Sequence, residues 1–401
     1  MKSSLEDGHP QILHIVTRYL RGGSEVRIRD IVRALPGAGH HLIVGSHSDV
    51  ELAERQVAPQ TLTVLNSLVR QPNPPMDWIT LRKLTALLRA RSFDLLVTHQ
   101  SKAGVLGRAA ARWASGPPVI HSLSMANFGP GYPKWEDLLF RTIESRLARG
   151  TDAYVVVGTD LARRFELIGV PRRKLHVVRS GITLPTLADR EAGRRWLRDR
   201  FGVPTDRPIV AYLGSLEWRK SVLDLVPYLY RMLSAPSGPR PYLVVAGEGP
   251  LSRPLIAALE AANLMHDAAV VGFVSDPGLV IAAASTLVLL SRAEGVPQVL
   301  VQASVLGRPW VAYDVDGARE LIELGAPGTL VPLGDVAAAA QATRWIIDSP
   351  VPGRLPKFDA SPWAPDVIAA AHRHVVEAVF AGRRGLPAET SQYAGTVARA
   401  S

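Results

Sequence analysis

Ser291-Arg292-Ala293-Glu294-Gly295-Val296-Pro297-Gln298-Val299-Leu300-Val301-Gln302-Ala303 carries the densest chemistry in the chain. An apolar run, Leu287–Leu290, hands an acid and a glycine to the start of a helix. In that loop Glu294 could accept hydrogen bonds from the hydroxyls of a bound sugar. The N–H groups of Gln298 and Val299 would face an anion, while Pro297 has no N–H to offer. Gln302 follows roughly one turn into the helix, close enough to meet the same ligand.

Three more loops sit where ligand chemistry could occur. Gly214-Ser215-Leu216-Glu217-Trp218-Arg219-Lys220 follows Ile209–Leu213, with a helix expected from Ser221. Lys220 there could neutralise a diphosphate leaving group, and Trp218 shares that loop. Gly247-Glu248-Gly249-Pro250 follows Tyr242–Ala246 and is by itself a turn signal. Arg21-Gly22-Gly23-Ser24-Glu25 follows Ile12–Thr17. Its paired glycines suit either a close backbone approach to a ligand or a plain tight turn. The G-x-G-x-x-G dinucleotide fingerprint is absent.

The elements that must position these loops alternate strand and helix, which calls for parallel sheets with helices on both faces. In the first half the strands are Ile12–Thr17, His41–Ser46, Leu62–Leu65, Asp94–Thr98, Val119–Leu123 and Tyr154–Val157. Helices are expected from Ser24, over Asp77–Arg91, from Lys102 and through Trp135–Leu147. Ser180–Asp189, with Gly181 and Pro185, reads as a linker, followed by an Arg-rich helix at Arg190–Arg200. The second half repeats the rhythm at Ile209–Leu213, Tyr242–Ala246, Val270–Phe273, Leu287–Leu290, Trp310–Asp314 and Thr329–Pro332. Its helices start at Ser221, Ser252 and Gln298, then cover Arg319–Leu324 and Val336–Ile347. A Pro-rich connector and a helix at Val367–Phe380 close the ordered part, leaving a tail rich in Gly, Ala, Ser and Arg that is expected to be disordered.

Composition narrows the classes. The 401 residues suit two domains. With no Cys, disulfides, thiolate nucleophiles and Cys-ligated zinc are excluded. The longest apolar stretch, Leu279–Leu290, is short of the ~20 residues a membrane span needs, and Met1–Gln11 has no secretory apolar core. The expected location is cytoplasmic, with peripheral contact at the inner face of a membrane left open. A net charge of +10 fits a solvated basic surface or an anionic partner: a sugar nucleotide, a membrane leaflet or an acidic carrier protein. Nucleic acid is not expected, because no helix-turn-helix, zinc-finger or aromatic RNP pattern occurs.

Taken together and in order, from about His14 to about Ile347, these segments resemble the retaining GT-B glycosyltransferases that carry an E-x7-E motif. The Gly22-Gly23 loop, Thr98-His99-Gln100-Ser101-Lys102-Ala103-Gly104, the Lys220 loop, the Gly247 turn, the Glu294-Gly295 loop and Asp314–Glu320 all look like landmarks of that family. The resemblance implies two facing Rossmann-like domains: an acceptor-binding one at 1–185 and a donor-binding one at 186–350. A crossover segment and helix at 351–382 would return to the first, before the tail at 383–401. It implies a donor site of Ser215, Lys220, Gly247, Glu248, Val274, Glu294, Gly295, Val296, Pro297, Gln298, Val299 and Gln302, with Lys220 and Glu294 catalytic. Gly22, Gly23, His99, Lys102 and Ser124 fall on the acceptor side or the cleft. The Thr98–Gly104 stretch is similar to members that use UDP-N-acetylhexosamines or related sugars in polysaccharide or natural-product assembly. The acceptor could be a small molecule, a lipid-linked sugar or a carrier-bound substrate. No cofactor is implied, since the nucleotide sugar is a co-substrate.

Three positions depart from the family pattern. The second acid of E-x7-E is Gln302, the phosphate-binding Arg is Ser215, and the His after the fifth strand is Ser124. These keep open a catalytically reduced protein acting as a sugar-nucleotide-binding or partner subunit. Asp314-Val315-Asp316 imitates a D-x-D metal motif, but Gly317 follows and favours a turn, so no metal ligation is expected. His14, His40, His41 and His47 read as structural, and His121 points away from the Ser124 position.

Overall fold

The structure, a computed structural model, describes residues 9–20, 23–129, 132–182, 189–235, 238–349 and 358–383. Its described residues form two units: those up to Gly181 together with those from Ser361 onward, and Ile182–Ala360.

The first unit is built on a seven-stranded sheet: β1 (Gln11–Val16), β2 (Gly39–Gly45), β3 (Thr61–Leu65), β4 (Leu95–His99), β5 (Val119–Leu123), β6 (Ala153–Val156) and β7 (Leu175–Val177). The strand order is β3-β2-β1-β4-β5-β6-β7 and every pairing is parallel. Strands β1, β4, β5 and β6 are buried along almost their whole length because helices cover both of their faces, and His14, His99 and His121 are buried with their apolar neighbours. On one face, Leu13, Ile15, Ile43 and Leu96 pack against Leu81, Leu84 and Leu88 of the Pro74–Ala90 helix and Leu106 of the Ser101–Ala114 helix. On the other, Ile12, Leu95, Val97 and Ile120 meet Ile31 of the Gly23–Ala34 helix and Ile368, Val375 and Val376 of the Pro365–Arg383 helix. The chain's last described helix thus completes the first unit.

The second unit carries a six-stranded parallel sheet: β8 (Ile209–Leu213), β9 (Tyr242–Ala246), β10 (Ala268–Gly272), β11 (Thr286–Leu289), β12 (Trp310–Tyr313) and β13 (Gly328–Val331). Its order is β10-β9-β8-β11-β12-β13, the doubly wound arrangement of the first sheet without a seventh strand. In each sheet the order reverses beside the unit's first strand. Ligands in such sheets bind at the carboxyl ends of the strands at that point.

The parallel sheets expected from the alternating pattern, and the two Rossmann-like domains that the resemblance implies, are present. Several local elements differ. A helix at Val50–Val57, capped by Asp49 accepting from the Leu52 N–H, escaped a reading based on apolar period because it is only eight residues long. The apolar stretch Leu279–Leu290 is split between the end of a Pro277–Ala283 helix and β11. Asp276 caps that helix by accepting from the Gly278 N–H, and Pro277 at its first turn is the other signal. Thr159–Leu167 and β7 are further elements not anticipated. Phe358–Ala360 belong to the second unit rather than to a returning segment, held by the Asp359 N–H donating to the Leu324 carbonyl at 3.2 Å. Residues 183–188 of the expected linker, 350–357 of the connector and 384–401 of the tail lie outside the described residues.

Candidate active site

Where the second sheet reverses, the loops after β8 and β11 meet. The Arg292 N–H donates to the Arg219 carbonyl at 2.9 Å, and the Arg219 guanidinium donates to the Ala293 carbonyl at 3.0 Å. These bonds bring the Lys220 ammonium into an ion pair with the Glu294 carboxylate, and Nη1 of Arg219 lies 3.6 Å from its other oxygen. Glu294 is 9% exposed. Burial alone would raise its pKa, but Lys220 and Arg219 outweigh that and hold the carboxyl below its ordinary value. The site is therefore a desolvated carboxylate flanked by two cations.

Arg219 brings a second positive charge to the loop in which Ser215 carries none. Ser215 Oγ donates to Glu217 at 2.7 Å, and Glu217 lies 3.8 Å from Arg219, so the serine supports the second cation without carrying charge itself. In the sequence Arg219 is marked only as the neighbour of Lys220. Nothing in the order of residues says that it turns toward Glu294.

The expected helix from Ser221 does not form there. Two short 3-10 turns, Trp218–Lys220 and Val222–Asp224, flank Ser221 in a left-handed conformation (φ 46°), and the α-helix begins at Leu225. A non-glycine residue in that region costs about 1–2 kcal/mol. It is stabilised by the Ser221 N–H closing the turn on Trp218 and by Arg292 Nε donating to Ser221 Oγ at 2.8 Å. Ser221 thus stops the helix one residue after Lys220.

Two glycines weld the neighbouring loops to this cluster. A Cβ on Gly247 would lie 1.9 Å from the Gly214 carbonyl oxygen, and the Leu216 N–H donates to the Glu248 carbonyl at 2.8 Å. Gly247-Glu248-Gly249-Pro250 is therefore packed against the Lys220 loop, with the Glu248 side chain exposed. Gly317 (φ 74°) would place a Cβ 1.7 Å from the Gly295 carbonyl oxygen, so the Asp314–Gly317 turn buttresses the Glu294 loop. Asp314 itself pairs with Arg319. Among the described residues no group of three or more His, Cys, Asp or Glu side chains is placed to hold a metal ion.

Val296 and Pro297 lead into the Gln298–Val305 helix, with Gly295 and Pro297 buried and Val296, Gln298, Val299 and Gln302 partly exposed. The N–H groups of Gln298 and Val299 open that helix and so have no carbonyl four residues back within it. Val274 sits in the loop after β10, partly exposed.

The first unit treats its corresponding residues differently. His99, at the end of β4, is only 2% exposed, and its Nε2 lies 3.2 Å from His14 Nδ1. The other nitrogen of His14 lies 3.0 Å from His40 Nδ1, and His40 Nε2 is 3.1 Å from the Leu35 carbonyl. Burial, helped by Arg27, pushes the His99 pKa down to about 3, so this ring is neutral near pH 7. His121 is buried too, against Thr98 at 2.9 Å. Lys102 pairs with Asp77 at 2.6 Å and also donates to the Gln71 carbonyl. Ser124 is partly buried in the turn after β5, and Gly23 opens the first helix. Gly22 lies outside the described residues.

Asn127, in the loop after β5, was not singled out by sequence. Both its amide oxygen and nitrogen are buried without a hydrogen-bond partner. Its neighbours are pinned: the Ala126 carbonyl accepts from Tyr132, and the Gly129 N–H donates to Asp137 at 2.6 Å. A buried amide with neither end bonded among the described residues has room to bond a water or a ligand group.

Family models match both units. A glycosyl transferase 4-like domain covers residues 22–181, and a glycosyl transferases group 1 domain covers residues 194–357. The chain belongs to the group 1 glycosyltransferases. It is 33% identical over 165 residues to the alpha-D-kanosaminyltransferase of Streptomyces kanamyceticus, a match spanning 41% of this chain and 42% of that one. It is 25% identical over 278 residues to the UDP-Gal:alpha-D-GlcNAc-diphosphoundecaprenol alpha-1,3-galactosyltransferase of Escherichia coli, spanning 69% and 72%. Anabaena HepE, crystallised in complex with UDP and glucose, matches with a TM-score of 0.65 at 18% identity, covering 92% of this chain and 95% of its own. That likeness is one of fold, the two Rossmann-like domains of the GT-B class.

Proposed function

We propose that this chain is a retaining glycosyltransferase that moves a sugar from a nucleotide sugar to a hydroxyl or amine of an acceptor and needs no metal ion. The observation that carries this reading is the convergence of Lys220, Arg219 and Glu294 at the point where the second sheet reverses. Two cations there match a diphosphate, and the opening N–H groups of the Gln298–Val305 helix add to the same field. They act where charge develops as the bond between the anomeric carbon and the diphosphate oxygen breaks.

Ser215, Gly247, Glu248, Val274, Gly295, Val296 and Pro297 line the donor in this reading. Glu294 accepts from the sugar hydroxyls and Gln302 from the nucleotide ribose. The acceptor hydroxyl or amine attacks from the face the diphosphate leaves, which preserves configuration, and its proton passes to the departing diphosphate oxygen. The first unit, with Lys102 and Ser124, serves the acceptor, His99 supports it only from within the sheet because it turns inward to His14, and the unsatisfied Asn127 amide is an added candidate for gripping it.

The relatives support a UDP-linked donor. The Escherichia coli enzyme is named for UDP-Gal and HepE was crystallised with UDP and glucose. A UDP-N-acetylhexosamine or related UDP-hexose is the donor we favour. The acceptor belongs to natural-product or cell-surface glycan assembly. Calorimetry with UDP and a panel of UDP-sugars, followed by NMR of the product's anomeric configuration, tests the reading. An inverted product, or no binding of any nucleotide sugar, would count against it.

A further inference from the structure

We propose that the outer side of the helices Pro74–Ala90, Ser101–Ala114 and Lys134–Leu147 is a docking surface for an anionic lipid bilayer. The three helices lie side by side. The first two share one core cluster against the same face of the first sheet. The third is tied to the second by the buried Arg108–Glu144 pair at 2.9 Å.

Their solvent side is unusually apolar. On the first helix Trp78 is 53% exposed, with Met76 and Ile79 beside it. Trp113 at the end of the second, 47% exposed, meets Trp78 edge to face at 5.7 Å, so an aromatic pair bridges the two helices in water. On the third, Trp135 and Leu138 are each 67% exposed and three residues apart, with Leu139 next to them. Indole rings suit the boundary between headgroups and acyl chains, where one edge stays wet.

The charge on these helices is predominantly positive. Of their four acids, three are already held: Asp77 by Lys102, Asp137 by Arg141, and Glu144 by Arg108. The fourth, Glu136, is half-buried. Exposed cations remain, namely Arg82, Lys83, Arg112, Lys134 and Arg146. Large apolar side chains interleaved with unneutralised cations complement an anionic leaflet, where each basic residue near the surface adds attraction. An acidic protein partner would use the same cations and tryptophans, and the vesicle test separates it from a bilayer.

The test is flotation of the full chain with vesicles of phosphatidylglycerol mixed with phosphatidylcholine, and of phosphatidylcholine alone, at low and high salt. The chain should float with the anionic vesicles, release as salt rises, and stay behind with the neutral ones. Trp78→Ser combined with Trp135→Ser should lower partitioning at least about tenfold. Arg82→Ala, Lys83→Ala and Arg112→Ala together should lower it by on the order of a hundredfold, since each cation is worth about fivefold. A charge-matched control, Arg195→Ala with Arg198→Ala and Arg200→Ala on the Arg190–Phe201 helix, should float like the parent. An unchanged urea midpoint in each variant shows that the fold is intact. No flotation of the parent, the outcome an acidic protein partner predicts, would overturn the proposal. Equal loss in the control, or none in the two surface variants, would overturn it as well.

Discussion

In the first unit, His14 on β1 and His99 on β4 lie ring to ring beside the strand reversal, buried and without a carboxylate in their chain of contacts. In the second unit, the same place in the same strand order holds Lys220 and Arg219 around Glu294. One topology thus carries neutral histidine rings beside the buried Arg27 guanidinium at one reversal and a carboxylate paired with two cations at the other. The fold sets where chemistry can occur, and the side chains decide its kind. In the proposed reading the charged edge meets the donor's diphosphate. The neutral edge is equipped to stay rigid near neutral pH and to fail in acid.

Acid gives the largest separation between the two. His99 is held from an ordinary 6.5 down to about 3 in the folded state, chiefly by burial. Between those values the unfolded chain takes up a proton that the folded chain refuses. Stability from this source is whole above pH 6.5 and is lost as pH falls toward 3. At pH 5 the loss amounts to about 2 kcal/mol for His99. His14, His121 and His372, also buried with lowered pKa values, add in the same direction. Segment-resolved hydrogen exchange at pH 7 and pH 5 should show the first unit loosening while β8–β13 hold. Equal loosening of both units would break the contrast, and a His99→Asn variant should flatten the pH dependence.

Next in size is the charged edge. Lys220→Ala should reduce turnover at least tenfold, about 1.4 kcal/mol in the barrier, as measured with saturating donor. His99→Asn should leave UDP affinity near the parent value in calorimetry. A loss of UDP binding in the histidine variant matching that in Lys220→Ala would mean the two edges are not chemically separate.

Finer changes divide the donor site. Glu294→Ala should weaken a UDP-sugar while leaving UDP nearly untouched, and Gln302→Ala should weaken both. Gln302→Glu should keep or raise UDP affinity by a few-fold, because a carboxylate accepts strongly from vicinal hydroxyls. Equal effects of the two alanine variants on UDP would refute the assignment. The smallest expected effect is none: activity should persist in EDTA, since the charge stabilisers named here are side chains and helix N–H groups. Loss of activity restored by Mn²⁺ would require a metal in the donor site.

The sequence made the two units legible because strands buried on both faces favour runs of apolar residues, as in Ile209–Leu213 and Tyr242–Ala246. It also marked Lys220 and Glu294, since acids, cations and glycines just after such runs fall at strand ends. Other features had no local signature. Eight residues at Val50–Val57 give too few turns for a period to show, and Ser221 gives no warning that it will stop a helix. Only the tertiary structure decided that Arg219 turns to Glu294 across 75 residues of chain, and that Gly317 must lack a side chain because Gly295 lies against it. Only it decided that His99 faces inward to His14. Local sequence fixes which groups a loop offers. Which of them are desolvated and paired depends on what the rest of the chain packs beside them, and that packing sets their charge.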